Sequence, residues 1–175
     1  MKESLQHPFP PLYDEQSRIL ILGSFPSVKS REQRFFYGHP QNRFWKVLAG
    51  VLGCPVPQSI PEKKEMLLEH GVALWDTVAR CEIRGSSDAS IEKVVPNDLG
   101  PIFDAACIRQ VFCNGRKSWE LYRRYLEPQT GKTAICLPST SPANAAWSLT
   151  LLQEEWSKQI MPFLADRKKL TKSKK

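Results

Sequence analysis

Four consecutive branched aliphatic residues, Ile19-Leu20-Ile21-Leu22, stand between Arg18 and Gly23 with no polar residue interrupting them. A strand with one face in water alternates apolar and polar side chains, so a short unbroken run predicts a strand covered on both faces, as in parallel sheets. Three later segments have the same character: Val72-Ala73-Leu74-Trp75, Gln110-Val111-Phe112-Cys113-Asn114-Gly115 and Thr133-Ala134-Ile135-Cys136-Leu137-Pro138. Helical spacing fills the intervals. Phe44, Leu48 and Val51 share one face, and Trp119, Tyr122 and Leu126 another. Pro61 to His70 follows Ser59 and ends at Gly71, with proline early and glycine late as helix ends require. Leu149, Leu152, Trp156, Ile160 and Phe163 mark a long last helix. The alternation predicts an α/β fold, a three-layer α/β/α sandwich with a central, mainly parallel four-stranded sheet.

In such sheets ligands sit beyond the carboxyl ends of the strands. That rule selects the loops Gly23-Ser24-Phe25-Pro26-Ser27, Asn114-Gly115 and Pro138-Ser139-Thr140-Ser141-Pro142-Ala143-Asn144. Glycine and serine there let backbone N–H groups and hydroxyls approach phosphates, although ordinary turn chemistry uses the same residues. Gly131-Lys132-Thr133 resembles the end of a phosphate-cradling loop, but it precedes a strand where that motif follows one, and Leu126 stands where its first glycine belongs. The segment Phe35-Phe36-Tyr37-Gly38-His39-Pro40-Gln41-Asn42-Arg43-Phe44-Trp45 places aromatics beside an amide and a cation just before a helix. Tyr37 suits stacking, while Asn42 reads equally as a helix cap.

Length and charge narrow the class. The 175 residues fit one domain, expected as a lead-in over 1–17, a functional domain over 18–165 and a basic, unstructured tail over 166–175. Of the net charge of +7, six positive charges belong to Arg167, Lys168, Lys169, Lys172, Lys174 and Lys175, so the body is nearly neutral and the tail suits a polyanion. No apolar run is long enough to span a membrane, and the start of the chain lacks the pattern of a secretory signal. An intracellular protein is expected: cytoplasmic, at the nucleoid, in a prokaryote, or nuclear in a eukaryote. Five cysteines without a C-x-x-C pair, and three histidines without ligand spacing to them, predict reduced, mostly buried thiols and no metal.

Together, Gly23 to Ser27, Gly38-His39-Pro40-Gln41-Asn42-Arg43-Phe44-Trp45 and Leu137 to Asn144 resemble the uracil-DNA glycosylase superfamily, most closely its hypoxanthine-DNA (deoxyinosine) glycosylase branch. The resemblance runs from Arg18 to about Leu164. Leu74-Trp75-Asp76-Thr77-Val78 and Arg84-Gly85-Ser86-Ser87-Asp88 also resemble that branch. Better-known members carry an Asp or Asn where this chain has Phe25, and some carry a histidine where it has Leu137-Pro138-Ser139.

The resemblance implies a cofactor-free, monofunctional N-glycosyl hydrolase acting as a monomer on DNA that contains deaminated bases, hypoxanthine favoured. Asn42 and Asn114 would be catalytic, with Asn42 accepting a hydrogen bond from the attacking water. Tyr37, Phe25, Gly23, Ser24 and His39 would hold the flipped base. Ser27, Ser139, Thr140, Ser141, Pro142, Ala143 and Asn144 would meet the DNA. Glycosidic cleavage builds positive charge on the sugar and negative charge on the base, so positioned donors and water can suffice without a strong base. Two other readings fit the same residues: a uracil or G/U-mismatch glycosylase, and a binder of damaged DNA that does not cleave.

Overall fold

The computed structural model describes residues 2–173, with side chains over residues 2–164. Its central sheet consists of β2 (Ile19–Gly23), β3 (Val72–Asp76), β6 (Gln110–Asn114) and β7 (Ala134–Leu137), in the order β3-β2-β6-β7 and parallel throughout. The expected four-stranded sheet is therefore present. Every residue of β2 is buried, which is why that segment tolerates no polar alternation. The register sets Gly23 beside Asp76, and Asn114 beside Leu137, so the polar strand ends lie along one edge.

Helices cover both faces: α1 (Val28–Gln33), α2 (Phe44–Leu52), α3 (Ile60–Glu69), α4 (Gly100–Ala105), α5 (Arg116–Tyr125), α6 (Glu127–Thr130) and α7 (Leu149–Ser173). Ser59 caps α3 by accepting from the Glu62 N–H, and Pro61 lies in its first turn, as its sequence punctuation predicts. Trp156 of α7 is fully buried against Phe44 of α2, with ring centroids 5.8 Å apart and planes at 77°. Its Nε1 donates to the Pro138 carbonyl at 2.9 Å, which ties the loop after β7 to the helical layer.

Three expectations need revision. Residues 1–17 are no appendage: β1 (Glu3–Gln6) pairs with β4 (Val78–Ile83), which pairs with β5 (Glu92–Pro96), forming a second, antiparallel sheet. Phe9 enters the main core and Leu12 bridges to Leu74. Short strands with mixed polarity on a half-exposed sheet carry little periodic signal. The basic segment is also more ordered than expected, because α7 continues to Ser173. Residues 165–172 contain no glycine or proline and are rich in helix formers, and cations suit a helix carboxyl end; Lys174 and Lys175 lie outside the described residues. All five cysteines are free, but only Cys81 and Cys113 are buried; Cys136 is exposed on β7, the strand at one edge of the central sheet. Among the described residues no helix is long and apolar enough to cross a membrane.

Trp156 thus carries both core volume and a loop anchor. Trp156→Ala should lower unfolding free energy by about 3–5 kcal/mol in urea titrations, the usual cost of deleting a buried aromatic. A change below 1 kcal/mol would show that α7 is not integral to the core.

Candidate active site

A cavity of about 250 Å³ opens at the carboxyl edge of the central sheet. Of the residues expected in the site, Gly23, Ser24, Phe25, Ser27, Tyr37, His39, Asn42, Asn114, Ser139, Thr140, Ser141 and Pro142 all line it. Ala143 and Asn144 lie instead along an adjoining groove, which also carries Arg116 and Lys117 at the start of α5.

A directed hydrogen-bond relay forms one wall. The Thr140 N–H donates to Asn114 Oδ1 at 3.1 Å, and Asn114 Nδ2 donates to Thr140 Oγ1 at 2.9 Å. That hydroxyl donates in turn to Asn42 Oδ1 at 2.8 Å, and the same oxygen accepts the Phe44 N–H at 3.0 Å. Backbone N–H groups can only donate, so they fix which end of each amide is oxygen. The N-cap of α2 is Arg43, one residue later than Asn42, but Asn42 Oδ1 still satisfies the Phe44 N–H at the helix start, and its two acceptor lone pairs are both occupied. The expected water contact through that oxygen has no lone pair left, whereas Nδ2 makes no hydrogen bond among the described residues. Asn114 keeps one lone pair and one amide hydrogen.

Tyr37 forms the aromatic wall. Its ring stacks on Phe44, centroids 4.0 Å apart and planes 16° from parallel, so only its other face can receive a guest. The backbone there is left-handed, with φ of 51°, a conformation costly for a tyrosine and common at functional sites. The buried hydroxyl has no partner in hydrogen-bond geometry; the nearby Asn114 amide only partly offsets the effect of burial, which together with the charge of Asp76 pushes the phenol well above its ordinary pKa. It stays a protonated donor. Gly23 makes room for this corner, because a Cβ there would lie 2.4 Å from Asp76 Oδ1 and 3.2 Å from the Tyr37 hydroxyl.

Two carboxylates that sequence reasoning missed also line the cavity. Asp76 ends β3, is 4% exposed, and lies 2.6 Å from His7 Nε2, which β1 delivers from the lead-in. Asp88 accepts from the Ser24 hydroxyl at 2.7 Å. The strand-end rule would have found Asp76 had it been applied to the second strand as well as to the other three. Phe25 packs into a small core with Val78 and Ile83, and the carboxylates lining the cavity, Asp76 and Asp88, come from other elements.

The loop hydroxyls divide by their hydrogens. Ser24 donates to Asp88 and Ser27 to Ser30 Oγ, so Ser24 retains no hydrogen for the base, nor Ser27 for the DNA backbone. Ser139 and Ser141 only accept, from the N–H groups of Ser141 and Ala143, and keep theirs. Arg43, the cation of the aromatic segment, holds the loop: its guanidinium donates to the carbonyls of Ser141, Asn144 and Trp147. His39 Nδ1 accepts from the Gln41 N–H, leaving Nε2 as the ring's donor. Among the described residues no group of three or more His, Cys, Asp or Glu side chains could hold a metal ion.

Residues 10–165 match the family model of the uracil DNA glycosylase superfamily. The chain is 35% identical over 150 residues to a protein of Methanosarcina acetivorans described as a hypoxanthine DNA glycosylase, covering 85% of this chain and 93% of that one. It is 37% identical over 139 residues to a protein of the same description from Methanosarcina barkeri, covering 78% and 86%. The solution NMR structure of a candidate uracil DNA glycosylase from Methanosarcina acetivorans superposes with a TM-score of 0.76 at 31% identity, covering 90% of this chain and 96% of that one. The chain belongs to the uracil DNA glycosylase superfamily.

An unpartnered buried hydroxyl costs about 1–3 kcal/mol. Tyr37→Phe should therefore leave the free protein at least as stable as wild type in thermal unfolding, while Tyr37→Ala should weaken binding to a lesion duplex by about 1–3 kcal/mol. A marked loss of stability in Tyr37→Phe would mean that the hydroxyl is bonded.

Proposed function

We propose that this chain is a monofunctional DNA glycosylase that flips deaminated bases out of DNA, hypoxanthine first, and hydrolyses their N-glycosidic bonds. The observation that carries the reading is the cavity itself, lined at the sheet edge both by Tyr37, whose ring is backed by Phe44, and by the Asn114–Thr140–Asn42 relay. The description of both Methanosarcina relatives supports hypoxanthine. The described residues lining the cavity include no lysine, which suits attack by water over a Schiff base.

A flipped base stacks on the open face of Tyr37, repaying part of the few kcal/mol, roughly, that unstacking costs. Asn42 Nδ2 donates to an acceptor on the departing base. The remaining lone pair of Asn114 Oδ1 accepts from a water near the sugar, and the Thr140 N–H and hydroxyl hold both amides in place. Ser139 and Ser141 hydroxyls and the Arg116–Lys117 groove flank the cavity where the strand passes.

Duplexes carrying inosine, uracil, xanthine or no damage, followed by counting of abasic sites, test the reading. Hypoxanthine should leave at least as fast as uracil. Uracil release alone would make the chain a uracil glycosylase, and lesion binding without abasic sites would make it a binder.

Asn42→Asp separates the two roles of the amide. It keeps the acceptor for Phe44 N–H and Thr140 Oγ1 and exchanges the Nδ2 donor for a charged acceptor, so the helix start should hold while single-turnover release falls about 10²-fold or more. A variant as active as wild type would show that the working atom is the oxygen.

A further inference from the structure

Asp88 is held by contacts that neither the relay nor the aromatic wall explains. Its loop is pinned to α1: Ser86 Oγ accepts the Val28 N–H at 2.9 Å, and the Arg31 guanidinium donates to the carbonyls of Pro26 at 2.8 Å and Gly85 at 3.2 Å. A 3-10 turn over Asp88–Ser90 follows directly. Ser24 occupies Asp88 Oδ1, and Oδ2 has no partner among the described residues. The residue as a whole is exposed, yet its carboxyl lies where the cavity meets the groove, lining both. The same cavity contains the unpartnered Tyr37 hydroxyl, a second sign that a polar guest belongs there.

The charges around it favour a particular departure chemistry. Asp76 and Asp88 both line the cavity, and among the described residues lining it there is no lysine or arginine. A base leaving as an anion would be repelled. A purine has ring nitrogens remote from the glycosidic bond that can take a proton, whereas the corresponding ring nitrogen of uracil already carries one.

We propose, resting on the reading that this cavity holds flipped hypoxanthine, that Asp88 is the general acid for departure of the purine. Its carboxyl proton passes to N7 as the C1′–N9 bond breaks, the bonding pair goes to the base, and hypoxanthine leaves neutral. Water then adds its hydroxyl to C1′ and returns its proton to the Asp88 carboxylate, so the site is restored without any other reactant. Burial of the carboxyl and then the charge of Asp76 raise its pKa, while the Ser24 hydrogen bond and Lys117 of α5 oppose them; Tyr37 and Cys81 of β4 also face it. The protonated form is the working one, so release slows as pH rises through that raised pKa.

The test is single-turnover base release across pH by the full chain and by Asp88→Asn, which keeps the size of the side chain and an acceptor for Ser24. Asp88→Asn should release hypoxanthine about 10²-fold or more slowly, the range for loss of a general acid, and should lose the limb that falls with rising pH. Asp88→Glu should recover part of both. A duplex with 7-deazahypoxanthine, which has carbon in place of N7, should resist the wild-type protein to a similar degree. Wild-type rate and profile in Asp88→Asn, or equal release of the deaza base, would overturn the proposal alone. Absence of hypoxanthine release by the wild-type protein would overturn the functional reading, and the proposal with it.

Discussion

The Thr140 hydroxyl is the junction on which the site depends. It is fully buried, and it joins the end of β6 through Asn114 to the start of α2 through Asn42. A hydroxyl has one hydrogen, so once it accepts from one amide and donates to the other, the direction of the whole wall is set. Buried polar groups are costly unless paired, and among the described residues only Tyr37 Oη, at the cavity, and Arg43 Nε are buried side-chain atoms left without a partner. The geometry therefore stabilises the fold and leaves Asn42 a donor, Asn114 both donor and acceptor, and Tyr37 a donor.

The parallel sheet explains why these groups meet. Its register puts Gly23, Asp76, Asn114 and Leu137 at one edge, and the loops that follow must turn there. Arg43, the N-cap residue of α2, then ties the loop after β7 to that helix, and Asn42 beside it accepts the Phe44 N–H, so one short stretch of sequence holds the helix start and clasps the loop. His7 comes from the opposite direction, delivered by the small antiparallel sheet to a carboxylate on the large one.

Much of this could be read from residue order. Unbroken aliphatic runs gave away the four central strands, and the punctuation of Ser59, Pro61 and Gly71 marked one helix end to end. The strand-end rule found the loops bearing Gly23, Asn114 and Thr140. What escaped was whatever depends on pairing across long separations. β1 lacks a hydrophobic period, because its stability comes from β4, more than seventy residues away by the register of Glu3 with Ile83. Asp76 and Asp88 sat in stretches already conspicuous for their resemblance; the strand-end rule reaches Asp76 once β3 is included, whereas Asp88 lies in a turn whose neighbours in sequence do not show which cavity it enters. Residue order singles out Asn42 but not the state of its oxygen, since no sequence pattern reveals that Thr140, 98 positions away, donates to it.

The most direct measurement is single-turnover release of hypoxanthine by Thr140→Ser and Thr140→Val. Serine keeps the hydroxyl, and valine keeps the shape while leaving Asn114 Nδ2 without a partner and Asn42 Oδ1 with only the Phe44 N–H. The account predicts near wild-type release for the serine variant and a loss of tenfold or more for the valine variant, about 1.4 kcal/mol or more of transition-state stabilisation. A valine variant that releases the base at the wild-type rate would contradict the claim that this hydroxyl sets the direction of the site.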